Sequence, residues 1–550
     1  SSVDYVMTIG LGKNTSIDSL QVIWPDDRTQ KFNNIKTNQF LTLKNSEAQD
    51  IFVPNNKSVN PLLKELASSK LLVHKENNYN DFDYEGLISK MLSQEGPALA
   101  VADVNGDGNE DVFIGGGANQ AGVLYLHKGN GNLTASVQKA FEKDVALEDT
   151  AAAFLDVDGD GDMDLMVGNG GNQVGDEKLY RARLYINNGK GVFEASSQIL
   201  PSTFKNIAVI APHDFDNDGD MDVFIGSRSV VGNYGLDPDH LFLENKGDGT
   251  FADATERLAY DTKQAGMVTD AIWVDMDGDK KKDLITVADW GRPIIYKNSG
   301  KRMSKMNTAL DSLTGWWNVV SAEDLDNDGD YDLILGNQGN NVPYSCSREN
   351  PMKLWVNDFD NNGTIEQITT RNFEGKDYPI HQKKELTTQM VALKKQNLKA
   401  SEYAKRTIGE LFSGETFDRS IVKEGTIQES VIAINEGGGK FTIKKLPGRV
   451  QLSCVCGITC TDVNGDGYLD LIMGGNNFEF KPQYSRLDAN FGSILLGNEK
   501  LDFKWQNYDE SGFLIKEEVK HIEQFQDSNG KRFVIAAIND NKPKVFALDE

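Results

Sequence analysis

The chain alternates short apolar runs with acidic, glycine-bearing loops, and the alternation repeats. An apolar run leads into D-x-D/N-x-D-G-x-x-D, and a second apolar run follows and ends in Gly. The first copy, ALAVADVNGDGNEDVFIGGG, spans Ala98 to Gly117. Further copies start at Asp156, Asp214, Asp275, Asp324 and Asp462, and a variant, DFDNNGTIE, starts at Asp358. Apolar runs of about four to eight residues bounded by such loops read as β-strands. A second piece recurs between the loops: LYLHKGNGNLT at Leu124, LYINNGKGVF at Leu184, LFLENKGDGTF at Leu241 and VIAINEGGGKF at Val431. Each reads as a strand, a Gly-rich turn and another strand. One repeat therefore supplies four short strands.

The first five loops start 53, 58, 61 and 49 residues apart, close to the length of one propeller blade. The pattern predicts an all-β fold, a β-propeller over residues 98–550. Six loops, from Asp103, Asp156, Asp214, Asp275, Asp324 and Asp462, mark six blades. The tail from about Lys516, with its runs RFVIAAI and KVFAL, supplies a seventh without an acidic loop. Eight blades are the alternative if the Val431 hairpin forms its own blade. The Asp358 loop is expected within the outer strands of the fifth blade.

Three stretches break the pattern. Between Asp358 and Asp462, residues 381–412 read as a helical insertion, with Leu386, Met390, Leu393, Ile408 and Leu411 at helical spacing. It carries Lys383, Lys384, Lys394, Lys395, Lys399, Lys405 and Arg406, either a solvated face or a docking site for an acidic partner. Residues 1–50 lack acidic loops and read as a small β domain, incomplete at its start, with a strand through Val22 and Ile23 that stops at Pro25. Residues 51–97 read as a connector with one short helix, started by Pro61 and carrying Leu62, Leu63 and Leu66.

The acidic loops have the chemistry of calcium sites. Calcium takes six to eight oxygens, and side chains at positions 1, 3, 5 and 9 of a curled loop converge to supply them, with Gly at position 6 permitting the turn. The predicted ligands are Asp103, Asn105, Asp107 and Asp111; Asp156, Asp158, Asp160 and Asp164; Asp214, Asp216, Asp218 and Asp222; Asp275, Asp277, Asp279 and Asp283; Asp324, Asp326, Asp328 and Asp332; Asp358, Asp360, Asn362 and Glu366; and Asp462, Asn464, Asp466 and Asp470. Without an ion, the crowded carboxylates would repel one another. An EF-hand would need Glu at position 12, where the chain has Ile114, Val167, Ile225, Thr286, Leu335, Thr369 and Met473. The flanks are β-rich rather than helical. Two sites are expected to be weakest: Lys280 replaces the position-6 Gly of one loop, and Asn362 and Glu366 replace two aspartates of another.

Composition narrows the function. The 550 residues carry 57 basic and 83 acidic side chains, a net charge of −26, which disfavours nucleic acid as a partner. Seven divalent ions would add about 14 positive charges. Millimolar extracellular calcium would fill such loops, whereas submicromolar cytosolic calcium would not. No apolar run is long enough to span a membrane as a helix. The four cysteines, Cys346, Cys454, Cys456 and Cys460, contain no CxxC pair. They are compatible with one or two disulfides or with buried thiols. The six histidines, His74, His127, His213, His240, His381 and His521, form no HExxH motif, and no G-x-S-x-G or P-loop occurs. Candidate ligand loops are GNGGNQ from Gly168, GNQGNNVPY from Gly336 and GGNNFEFKPQYSR from Gly474, with Trp290, Trp316 and Trp317 either lining such a face or packing between blades.

The loop repeats resemble the FG-GAP or VCBS repeats of integrin-α-type propellers. The opening IGLGKNTSIDSLQVIWPDDRTQKFNNIKTNQFLTL resembles the ASPIC/UnbV domain. The pairing is similar to bacterial relatives of cartilage acidic protein. The resemblance implies secretion or surface exposure, as a lipoprotein or other component of the bacterial outer membrane, calcium binding at several sites and no catalytic activity. The expected function is a calcium-stabilised cell-surface binding or scaffold protein for a protein or glycan ligand, within a larger outer-membrane assembly. The alternative is a carbohydrate-active enzyme, a polysaccharide lyase or glycosidase, on a calcium-binding propeller.

Overall fold

The computed structural model describes residues 6–52, 60–67, 70–175, 177–197, 200–201, 205–412 and 414–548. The chain divides into two compact units, Ser1–Asn60 and Pro61–Glu550. In the first, strands Ser16–Ile23, Arg28–Lys36 and Asp50–Ile51 form one antiparallel sheet. The first strand ends before Pro25, as its pattern predicts. The tight turn that follows holds Asp27 at φ 62, a left-handed conformation that Asp tolerates better than most residues. The opening Ser1–Asp4 lies outside the described residues.

The second unit is all-β apart from short helical turns. Its repeats form antiparallel sheets of four strands, each strand pairing with the next, and the sheet that begins at Met267–Val274 adds Gly315–Trp316 beside its second strand. Sheet one holds Leu99–Ala102, Asp111–Ile114, Val123–His127 and Leu133–Ser136. Sheets two, three and four begin at Asp149–Leu155, Asn206–His213 and Met267–Val274, and sheets five, six and seven at Val319–Glu323, Val455–Thr461 and Val519–Gln526. Each first strand touches the first strand of the next sheet, and Val519–Gln526 touches Leu99–Ala102 in turn.

The second strand of each sheet explains the apolar runs. Asp164–Asn169 and Asp222–Ser229 are buried at every residue, between neighbouring sheets on both faces. Strands covered on both sides need continuous apolar sequence rather than alternation. The cores lie between sheets: Phe215, Phe224 and Phe242 of sheet three pack with Val268, Leu284 and Tyr296 of sheet four. Each such side chain contributes roughly 1.5–3 kcal/mol on burial.

Three expectations are corrected. Leu62, Leu63 and Leu66 do not form a helix; Leu63–Glu65 is a strand that pairs with Lys544–Leu548 as the last strand of sheet seven. The reason is long-range: Lys544–Leu548 would otherwise leave an open edge, and Leu63 becomes fully buried there. The Val431 hairpin does not form its own sheet. Val431–Asn435 pairs with Asp332–Gly336 inside sheet five. The Asp358 loop does not lie in the fifth sheet's outer strands. It joins Met352–Asn357 to Glu366–Phe373 in a separate inserted sheet, completed by Lys376–Pro379 and Ile421–Gly425.

The expected helical insertion lies between the last two strands of this sheet as five short helices, from Lys383–Gln389 to Glu415–Asp418. Leu386, Met390, Leu393, Ile408 and Leu411 cover Phe359 and Ile368. Residues 74–97 cross the end of the unit where the second strands finish. There Glu85 accepts hydrogen bonds from Asn172 (2.7 Å), the Tyr234 backbone (2.7 Å) and Gln367 (3.2 Å). Lys90 pairs with Asp289 at 3.1 Å, and Arg228 bridges Glu95 and Asp289 at 3.0 Å each. Burial opposes ionisation of Asp289, but Lys90 and Arg228 outweigh it and hold the carboxyl down at about 2. Among the described residues of the 51–97 connector, only the turn at Asp81–Asp83 is helical.

The Leu63 contact is testable. Leu63→Ala is expected to lower unfolding free energy by about 2–5 kcal/mol, read from the denaturant midpoint. An unchanged midpoint would show that this strand does not stabilise sheet seven.

Candidate metal centre

Each acidic loop connects the first and second strands of its sheet, and its aspartates first serve the loop itself. The position-1 carboxylate accepts backbone N–H groups as the chain curls: Asp103 takes those of Gly106 (2.9 Å) and Gly108 (2.8 Å), and Asp324 those of Asp328 and Gly329 (3.1 Å each). Position 5 accepts the N–H of position 7, as in Asp160 with Asp162 at 2.9 Å. Position 6 is left-handed, with φ 91 at Gly161 and 101 at Gly219. In the fourth loop Lys280 holds φ 68, a conformation disfavoured for a side-chain-bearing residue.

Five loops bring three carboxylates together, with oxygens within 4.8 Å of one another: Asp156, Asp158 and Asp164; Asp214, Asp216 and Asp218; Asp275, Asp277 and Asp279; Asp324, Asp326 and Asp328; Asp358, Asp360 and Glu366. Asn105 and Asn464 stand at position 3 of the other two loops. There the amides donate to Asp111 (2.8 Å) and Asp466 (2.9 Å). The donor sets suit a hard cation that prefers oxygen ligands. In the Asp358 loop, Asp360 Oδ1 and Glu366 Oε1 are buried with no hydrogen-bond partner, the condition a cation would relieve. The Asp275 loop differs. Lys297 Nζ pairs with Asp277 and lies 3.2 Å from Asp279. The hydrogen bond to Asp277 pushes the ammonium's pKa up, so a protein cation already serves this triplet.

Position 9 does more than complete an oxygen shell. One oxygen accepts the position-2 backbone N–H, from Val157 to Asp164 (3.1 Å), Phe215 to Asp222 (3.2 Å), Met276 to Asp283 (3.2 Å) and Leu325 to Asp332 (3.2 Å). The other accepts a backbone N–H on the third strand, from Asn187 (2.7 Å), Asn245 (2.9 Å), Asn298 (2.8 Å) and Asn435 (2.8 Å). Those four asparagine side chains reach into the preceding sheet. Asn187 donates to Val104 O (2.7 Å), Asn245 to Val157 O (2.9 Å), Asn298 to Phe215 O (3.0 Å) and Asn435 to Met276 O (3.1 Å). A hydrogen-bonded path thus links sheets one to five. His127 and Gly497 take the asparagine's place in sheets one and six, and their N–H groups bind Asp111 and Asp470 at 2.8 Å. These asparagines were not among the predicted site residues. Their signal was in the sequence, as the Asn before the hairpin turn in LYINNG, LFLEN and VIAIN.

Burial, reinforced by the neighbouring loop carboxylates, raises the position-9 carboxyls. They reach about 6 in Asp111, Asp164, Asp283, Asp332 and Asp470, and about 7 in Asp222 and Glu366. Burial also raises Asp158, Asp216 and Asp326, next to Asp160, Asp218 and Asp328.

The candidate ligand loops are used internally at their starts, whereas Asn340, Asn341, Gln483 and Arg486 farther along are exposed. Asn169, Asn337 and Asn476 are fully buried; Asn169 donates to Glu148 O, and Asn476 to Asn490 O. Trp317 is fully buried, and Trp290 packs edge-on against Trp316 at 4.7 Å. The tryptophans pack in the interior rather than lining a face. All four cysteines are free thiols, with Cys454 and Cys456 Sγ 3.4 Å apart.

Two predictions follow from the clamp. Asn245→Ala leaves Val157 O without its partner and is expected to cost about 1–3 kcal/mol in chemical unfolding; no loss would mean that the link between sheets two and three is not stabilising. The second concerns the ion-free chain. Carboxyls raised above the unfolded value of about 4 add stability at low pH that is lost as pH rises through 6 to 7. After exhaustive removal of divalent ions, calorimetry should give a higher melting temperature at pH 5 than at pH 8, and the reverse order would refute the assignment.

Comparison with known proteins matches both parts of the chain. Residues 1–50 match the family "ASPIC and UnbV", and residues 103–167, 156–225 and 275–335 match the FG-GAP-like repeat. No curated protein matches the chain. Among solved structures, the extracellular domain of a hybrid two component system from B. thetaiotaomicron is 9% identical over 86% of this chain and 39% of that chain, with TM-score 0.38. Sqt1 of Saccharomyces cerevisiae is 10% identical over 85% of this chain and 100% of that chain, with TM-score 0.40. The computationally designed Ika8 protein is 12% identical over 84% and 100%, with TM-score 0.34. The chain thus carries an ASPIC and UnbV segment at residues 1–50 and FG-GAP-like repeats within an all-β fold.

Proposed function

We propose that the chain is a calcium-stabilised binding or scaffold protein, displayed outside the cell or on its surface, whose seven sheets close as the blades of one propeller. The cyclic contact of first strands, with Val519–Gln526 against Leu99–Ala102, supports closure. The observation that carries the calcium reading is the set of five carboxylate triplets, each with oxygens within 4.8 Å, of which one is served by a lysine. Calcium would be held at the loops from Asp103, Asp156, Asp214, Asp324, Asp358 and Asp462. Its charge would offset the repulsion that curling each loop creates. The buried oxygens of Asp360 and Glu366 support including the Asp358 loop. In the Asp275 loop the Lys297 ammonium would take the ion's part.

The ions are structural in this reading. The loops sit between strands, their carboxylates are engaged in the loop backbone, and the protein catalyses no reaction. The ligand would be a protein or a glycan met at the bacterial surface, within an outer-membrane assembly. A calcium requirement fits that place, because occupancy at 100 times the dissociation constant stabilises a site by about 2.7 kcal/mol.

Calorimetry in 2 mM calcium (roughly the extracellular level) and after chelation tests the reading. The melting temperature should fall by well over ten degrees without calcium, and elemental analysis should find about six ions per chain. Lys297→Met should add one further ion. A chain that holds no ion, or melts identically in both conditions, would overturn the proposal.

A further inference from the structure

The inserted module contains a cavity of about 1010 Å3 that the propeller repeats do not explain. One wall is the sheet edge, with Arg371, Phe373 and Tyr378. The other is the helical segment, with Lys383, Lys384, Lys394 and Lys405. Five cations therefore line one cavity of a chain whose net charge is −26, and no carboxylate lines it. Asp377 and Glu385, on the same strand and helix, are engaged elsewhere, with Lys353 (3.1 Å) and Lys481 (3.2 Å). Lys383 donates to Leu398 O at 2.8 Å, leaving four cations around the opening.

The wall also holds an unused donor. His381 is buried, and its Nε2 accepts the Thr369 N–H at 3.0 Å. Burial, aided by Lys481, pushes the imidazole down to about 3, so the ring is neutral with its proton on Nδ1. That Nδ1 has no partner. Phe373, by contrast, is 60% exposed at the cavity, an unusual position for a large apolar ring on a charged rim.

Cations beside exposed aromatic faces suit a ligand that is both anionic and flat-sided. An acidic peptide added as a strand would need free N–H groups along the edge. Lys376–Pro379 has four residues and closes on a proline, so it offers few. We propose that this cavity binds a compact acidic oligosaccharide bearing carboxylate or sulfate groups. Arg371 and the lysines neutralise the anions, and Phe373 and Tyr378 stack on the ring faces. The idea rests on the binding reading above and gives it a ligand class.

Titration calorimetry on the full chain in calcium tests it with four probes: trigalacturonate, a sulfated carrageenan tetrasaccharide, neutral maltotriose and an octapeptide of glutamates. At least one acidic sugar should bind with Kd below about 1 mM, weaken with added salt, and exceed maltotriose by tenfold or more. Lys384→Glu with Lys394→Glu should weaken binding at least about tenfold, and Phe373→Ser and Lys405→Glu separately should act in the same direction. All of these changes lie on exposed side chains, and the melting temperature in calcium checks that each variant folds. The proposal is overturned if neither acidic sugar binds, if charge reversal leaves affinity unchanged, or if the glutamate peptide binds more tightly than both sugars. Failure here with the calcium-dependent melting shift intact would leave the calcium reading standing.

Discussion

The buried carboxylate at the ninth position of each loop is the constraint on which the repeat depends. In sheets two to five it has two oxygens and two backbone partners, one in its own loop and one on its own third strand. That second partner is an asparagine whose amide holds the loop of the preceding sheet. Loop shape, strand register and sheet-to-sheet docking are therefore fixed by one group. The group is also strained electrostatically, because it is buried beside two or three other acids. Neutralising it by protonation or by a cation serves the same end, and the two routes favour opposite pH conditions.

The two ends of the second unit are joined by a different device. The last sheet borrows Leu63–Glu65 from the start of the unit, so the two ends of Pro61–Glu550 meet in one hydrogen-bonded ladder. The connector that follows crosses the end opposite the acidic loops and inserts charged groups there. Lys90, Arg228, Asp289 and Glu95 form a network of two cations and two carboxylates. The cost of burying such groups is met only if all are present. The connector thus acts as a structural cover, which Asn172 of one asparagine-rich loop holds through Glu85.

Much of this was legible in the sequence. The loop spacing located six of the sheets, the apolar runs located their second strands, and the hairpin motifs located the third and fourth. What escaped depends on distant partners. Leu63–Glu65 is three residues long, and nothing local distinguishes it from the first turn of a helix. Its strand state is decided by an open edge about 480 residues later. The inserted sheet was obscured because the Asp358 loop copies the repeat's motif, so motif spacing alone assigned it to a blade. The asparagine links were hidden in plain turn sequence. An Asn before a Gly-containing turn has an ordinary local explanation, and only the neighbouring sheet shows the second one.

The exceptional loop argues most directly for a cation in the others. Asp275, Asp277 and Asp279 have the same curl and the same position-9 clamp as their counterparts, yet this loop alone has lost its position-6 glycine and gained Lys297 between its carboxylates. A lysine on the third strand reaches the space where the neighbouring loops leave their acids facing one another. The substitution makes physical sense if positive charge is what that space requires. A loop stabilised by backbone hydrogen bonds alone would have no need of it, and its strained Lys280 would be the more costly for having nothing to offset it. The loop that departs from the repeated pattern therefore supports, by the group it substitutes, the proposal that the other loops hold a cation.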